Sequence, residues 1–300
     1  MGGRKLVNIK QKIVERLVIL IGILSLVACV IGIFDQTAYE YAPVVTSFNE
    51  EIQLYQKGLY ARDSVSAAIQ AIAQDAVTLF IGIPLLVVSF AMIKKQKKSG
   101  LFLLSGVLGY FLYTYMSYSF LMTFNVFYLV YVLLMVLSFY AFIVVYEMLR
   151  ESIDIRRLAT GFPKKMTYRF LWAVGIMILL MWLGRIVPAM ISGKAPVGLE
   201  NYSTLVIQSL DLGVVVPACF VIGYLLKKSN PKGYILSGVL VMKGEMMAAA
   251  VSAMGISMKL HGVEISTVEL IVFPCIFIFC SVFVIKIIAH VYKEFDKVRE

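Results

Sequence analysis

The residues that could do chemistry are few, and they sit where charge is costly. Asp211, Lys243 and Glu245 lie within long apolar runs, and Asp75 and Arg185 lie nearer the ends of theirs. A charge at the centre of a membrane helix costs roughly 2.5–3.5 kcal/mol on insertion scales, so such groups turn toward a bundle interior and mark ligand, ion or proton paths. Lys243 and Glu245 are two positions apart, about 200° around a helix, and so address different neighbours. Glu245 shares its face with Gly238, Ala249 and Ser252, small residues that let helices approach closely. At about 1.5 Å of rise per residue, Lys243 stands about 14 Å from the inner boundary and Asp211 about 9 Å from the outer one. A lysine stem spans the difference in level, which makes Asp211–Lys243 the expected intramembrane ion pair. Glu245 reaching Arg185 or tyrosine hydroxyls is the second option.

A polar stripe adds to this set. Tyr110, Tyr113, Thr114, Ser117 and Tyr118 recur at helical spacing, and Asn125, Tyr128 and Tyr131 continue the stripe into the next apolar run. Such a stripe serves either interhelical hydrogen bonding or a polar cavity open to the outside. The candidate substrate-binding set is therefore Asp211, Lys243, Glu245, Asp75, Tyr113, Tyr118 and Asn125.

Other chemistries lack their residues. Cys29, Cys219, Cys275 and Cys280 all lie in apolar runs without CxxC or metal-ligand spacing, as expected of small buried hydrophobes. His261 and His290 fall at helix ends, where paired haem ligation within a bilayer is excluded. No phosphate-binding loop, HExxH or GxSxG is present. Neither a catalytic residue nor a metal or cofactor is assigned.

The elements that must hold these residues follow from composition. The chain is 60% hydrophobic and only 15% charged, against roughly 25% charged in soluble domains. A bilayer core needs about 20 apolar residues in a helix. The runs 17–34, 76–93, 101–121, 125–147, 170–190, 205–226, 234–256 and 268–289 satisfy that, so the expected fold is all-α: a polytopic bundle of eight transmembrane helices. The net charge of +10 comes in short clusters between these runs, and no soluble segment is large enough for a nucleic-acid groove. Arg4, Lys5, Lys10, Lys12 and Arg16 precede the first run, which is too long for a signal peptide and reads as a retained anchor. Lys94–Lys98, Arg150–Arg169, Lys227–Lys232 and Lys286–Arg299 hold most of the remaining basic residues. All these clusters fall on one side, which by the positive-inside rule places both termini in the cytoplasm and the chain in the cytoplasmic (inner) membrane. The long outer segment 35–75 is acidic and tyrosine-rich. Within it Val65, Ala68, Ile69 and Ile72 predict an amphipathic helix over 64–74, at the outer mouth or the interface.

Two segments resemble one another. In 84–108 and 217–240, Pro84 matches Pro217, Lys94–Lys95 matches Lys227–Lys228, Gly100 matches Gly233, and Leu104–Leu108 matches Leu236–Leu240, with one residue inserted in the connection. This predicts two parallel four-helix repeats, an arrangement known among transporters: a first half 1–148, a cytoplasmic connection 149–169 and a second half 170–300. By offset from the prolines, Asp75 corresponds to Gln208 and Thr78 to Asp211. Counted from the shared SGVL run, Lys243 and Glu245 correspond to Phe111 and Tyr113. Charge is thus concentrated in the second half.

The motifs QDAVTL with Pro84, LGYFLYTYMSYSF–FNVFYLVYV, WLGRIVPA, LDLGVVVP and GYILSGVLVMKG resemble, in this order, a family of uncharacterised bacterial multi-pass membrane proteins. The likeness spans most of 74–256 and implies kinship and a multi-pass fold, without an activity. Arg185 departs from it, since an acidic residue is expected there, and this weakens any fixed role for that position. The function expected is a secondary transporter or permease of a small solute or ion, with a polar site between the halves. A receptor, sensor or subunit of a larger membrane complex is the alternative, and an intramembrane enzyme with an outward-facing site is the third. The partners expected are the lipid bilayer and a small-molecule or ion substrate, with no nucleic acid. Oligomeric state and partner subunits stay open.

Overall fold

The computed structural model describes residues 2–297, with side chains from residue 9 onward. Arg4, Lys5 and Arg299 of the basic clusters lie outside the described side chains. Among the described residues, eight helices are long and apolar enough to cross a membrane. They are α1 (Ile9–Phe34), α2 (Val65–Lys94), α3 (Lys98–Leu121), α4 (Tyr128–Ser152), α5 (Lys164–Ser192), α6 (Val206–Lys227), α7 (Pro231–Leu260) and α8 (Thr267–Asp296). A short antiparallel hairpin, Val44–Val45 with Glu51–Ile52, sits in the long loop after α1.

The predicted helix over 64–74 is not a separate interfacial element. Ser64 caps a helix by accepting a hydrogen bond from Ala67 N–H, and that helix runs on without a break into the second span. Its outer turns bury Ala68, Ile69, Gln74 and Asp75 against α3 and α7. The polar pair Gln74–Asp75 lowers local hydropathy, and this hid the continuity from the sequence. The fourth span likewise starts at Tyr128 rather than 125, leaving Asn125 in the turn.

The centre of the bundle is the contact between α3 and α7. Helix α3 is the least apolar span yet the most buried, so its polar stripe is spent against other helices rather than lipid. Gly106 supplies that contact: a Cβ there would collide with Met242 Cβ, and one at Gly109 would press on the Lys243 stem.

Thr78–Gly82 and Asp211–Val215 are both π turns, and each gives way to an α segment whose first turn holds the proline, Pro84 or Pro217. Those segments end at Lys94 and Lys227, and Gln96 and Ser229 then take up left-handed φ values of 59° and 58°. The next glycines, Gly100 and Gly233, each lie against the backbone of the helix just ended. The two connections are thus equal in length and shape. The extra residue falls instead in the first turns of α3 and α7, which contain no bulge, so the SGVL runs sit one residue out of register. In the ungapped register Lys243 corresponds to Tyr110, and Asp211 still corresponds to Thr78.

Packing differs between the ends of the chain. Helices α1 and α4 lie side by side, closed at one end by Lys10–Glu151. By contrast, α5 packs along α6, and α8 along α7. Helices α5 and α8 meet through the stacked rings of Phe170 and Phe283, 4.5 Å apart, and through the Arg185–Glu269 ion pair.

Candidate functional site

The space left between α5 and α8 is a cavity of about 1040 Å³, walled by α2, α3, α5, α6, α7 and α8. Its mouth lies among the loops that follow α5 and α7, at the end opposite the described termini. Each polar side chain arrives there for a local reason. Asp211 opens the π turn of α6, a local widening of the helix that recurs at functional sites. Tyr113 belongs to the buried stripe of α3. Lys243 projects from α7 where Gly109 leaves room for its stem.

These groups form a continuous series. Lys243 Nζ stands 3.9 Å from the centroid of the Tyr113 ring, a cation–π contact whose strength rises as water is excluded. The Tyr113 hydroxyl donates to Asp211 Oδ1 at 2.5 Å, and Trp182 Nε1 donates to Asp211 Oδ2 at 2.9 Å. Arg185 lies over the Trp182 ring, 5.5 Å from its centroid, and pairs with Glu269. Helices α7, α3, α6, α5 and α8 are linked in that order.

The expected Asp211–Lys243 ion pair is not made directly: among the described residues Lys243 has no carboxylate within 4 Å. Tyr113 stands between the two, giving its hydroxyl to the acid and its face to the cation. Glu269, not Glu245, meets Arg185.

Of the other candidates, Tyr118 lines the cavity and donates to Asp75 Oδ1 at 3.0 Å and to the Ala71 carbonyl at 2.9 Å. Asp75 itself is sealed behind that ring, 2% exposed, and also accepts from the Tyr60 hydroxyl at 2.5 Å. Glu245 is off the cavity wall and faces Ser281 of α8, as its two-residue offset from Lys243 dictates. Asn125 holds the α3–α4 turn through Phe127 N–H and does not line the cavity. Cys219 and Cys280 do line it as thiols, and no metal-ligand cluster occurs among the described residues.

Trp182, Glu269 and Gln74 are the members that sequence reasoning missed. Trp182 and Arg185 are three apart on one helix face, and Ser266–Glu269 has the spacing of a capping box, in which Ser266 Oγ accepts from Glu269 N–H. Gln74 donates to Tyr110 and Thr114 hydroxyls at 2.7 and 3.0 Å, which ties α2 to the stripe.

A polar latch lies over the mouth. Glu200 and Tyr202, from the loop after α5, line the cavity and bond to Ser64 and Asp63. Asp63 is 1% exposed and accepts from Tyr202 Oη at 2.9 Å and Thr123 N–H at 2.8 Å. Burial pushes its carboxyl up to about 6, despite those donors. Burial first, then the nearby Asp63 charge, pushes the Tyr202 hydroxyl up as well.

No family model, curated protein or solved structure matches this chain. What stands is a nearly all-α protein with eight apolar helices of membrane-spanning length among the described residues, six of which wall a charged, loop-capped cavity.

Proposed function

We propose that the chain is a multi-pass protein of the cytoplasmic membrane, built as two parallel four-helix halves, and that it is a permease for a small solute or ion with its polar site between the halves. The observation that carries this reading is the Lys243 ammonium, which faces a cavity of about 1040 Å³ and is held out of direct contact with its acidic neighbour, Asp211, by the Tyr113 ring. A structural charge would touch its counter-ion directly, whereas this one keeps its N–H donors on the cavity side. The volume is at the upper end of ordinary small-molecule pockets, roughly 300–1,000 Å³.

The matched π turns, prolines, left-handed connection residues and glycines support the two-half reading. So does a further correspondence. Thr78 and Tyr110, the ungapped counterparts of Asp211 and Lys243, share a 2.8 Å hydrogen bond in the first half. The first half carries a neutral, closed version of the site, and the second a charged, open one.

The test is charge movement by the purified chain, reconstituted in proteoliposomes on a solid-supported electrode, across a panel of small organic anions and cations. A wild-type response to a panel member should fall at least tenfold in Lys243→Met and in Asp211→Asn, with both proteins still inserted. Full activity of both inserted variants would show that the transport site lies elsewhere.

A further inference from the structure

We propose that this site takes a single-chain amphiphile with an anionic head, which rests on Lys243 and is admitted sideways between α5 and α8. The proposal takes its location from the permease reading and goes beyond it by naming the substrate class and its route.

Unmet hydrogen-bonding demand sets the character of the head group. Each Asp211 oxygen already accepts from a neutral donor, Tyr113 or Trp182. The Arg185 guanidinium is engaged by Glu269. An ammonium carries three donors and no acceptor, and Lys243 spends none of its own on another side chain among the described residues, having only the Tyr113 ring face. The missing complement is an oxygen acceptor, and a charged one gains most, because Asp211 reaches the ammonium only across the Tyr113 ring.

The tail follows from the opposite wall. Phe170, Val174 and Met181 of α5 and Phe273 and Ile276 of α8 line the cavity, with Met247 of α7 beside them. Methionine side chains adapt to flexible apolar ligands. A small hydrophilic solute would leave this wall against water.

The route follows from helix packing. Helices α5 and α8 meet at the Phe170–Phe283 stack and the Arg185–Glu269 pair. Between those points, Val174, Met181, Phe273 and Ile276 line the cavity. The outer faces of the same helices expose Ile176, Leu180, Ile271, Ile278 and Phe279, surface suited to lipid. A lipid-dissolved molecule reaches this seam without crossing water, head toward the ion pair and tail toward the ring stack.

The experiment uses the full chain in phosphatidylcholine nanodiscs with a photoreactive 16-carbon fatty acid, and maps adducts by mass spectrometry. Adducts are expected on the cavity faces of α5 and α8. They should fall at least tenfold in Lys243→Met and return in Lys243→Arg, and undiminished labelling of folded Lys243→Met would overturn the proposal. Competition on the wild-type protein decides the matter independently of folding. Hexadecanoate or hexadecyl phosphate should displace the probe, and the tighter of the two names the head group. Equal displacement by hexadecanol would overturn anion recognition. Equal displacement by butyrate would overturn the amphiphile but leave the small-solute permease standing. In a Cys275→Ser background, bridging R185C and E269C with a reducible bis-maleimide should slow labelling at least tenfold, reversibly on reduction, and an unchanged rate would overturn the sideways route.

Discussion

Asp75 and Asp211 are both carboxylates inside apolar helices, and their surroundings assign them different work. Asp75 is enclosed by Tyr60, Tyr118 and the backbone of α1, where a Cβ on Gly32 would overlap its carboxylate and crowd the Tyr60 hydroxyl. Gly32→Ala should therefore lower stability by about 1–3 kcal/mol through overpacking, read as a fall in detergent Tm. Asp75→Asn should reduce stability while leaving any Lys243-dependent binding intact. Asp63 gives a pH signature outside the spans. Its carboxyl is raised from 3.8 to about 6 in the folded chain, so between those values the folded state holds a proton that the unfolded state has lost. Stability must then fall as pH rises through that window, by on the order of 1 kcal/mol per pH unit. Proteolysis of the loop after α5 should accelerate from pH 4 to pH 6, and Asp63→Asn should flatten that dependence.

At the scale of elements, the bundle uses devices that cross from one helix to another. Helix α3 begins at Lys98 without a cap from its own N-cap residue, Lys97. Asp296, at the far end of α8, accepts instead from Lys98 N–H, Ser99 N–H and the Ser99 hydroxyl. Free N–H groups at a helix start need such acceptors, and losing a cap costs about 0.5–2 kcal/mol. Asp296→Ala should lower Tm accordingly, and hydrogen exchange should quicken in the first turn of α3 before it does elsewhere. Gly106→Val should be harsher, because the added side chain meets Met242 Cβ across the central helix contact and neither backbone can withdraw. The α-to-π transitions at Thr78 and Asp211 recur at one distance from a proline. A proline has no N–H to bond back along the helix, so a turn with altered hydrogen bonding ahead of it is a consistent pairing.

At the scale of the molecule, the asymmetry between α1–α4 and α5–α8 decides where a ligand can go. The first pair is closed along its length, and the second is joined at its ends around the cavity. The orientation expected from the charge clusters has a direct check. In a Cys275→Ser background, Lys57→Cys should react with an impermeant maleimide added to intact cells, and Lys95→Cys only after permeabilisation. Both positions are exposed and lie at opposite ends of the bundle. The reverse pattern would invert the topology, and with it the side on which the cavity mouth opens.

The helix class and the number of long apolar helices were legible in the sequence because long, uninterrupted apolar runs are a one-dimensional signal. The polar residues of α3 and the costly charges at Asp211 and Lys243 were legible for the same reason: each breaks an apolar pattern. Partner choice was not. Tyr113 between Asp211 and Lys243, Glu269 rather than Glu245 on Arg185, and the sealing of Asp75 behind Tyr118 all depend on how helices distant in sequence rotate and cross. The 64–74 segment misled for a related reason, since burial against α3 and α7 makes polar side chains acceptable within a span. Hydropathy thus determined which residues had to be explained. Only the packing of six helices around one cavity decided which of those residues line it and which are sealed away.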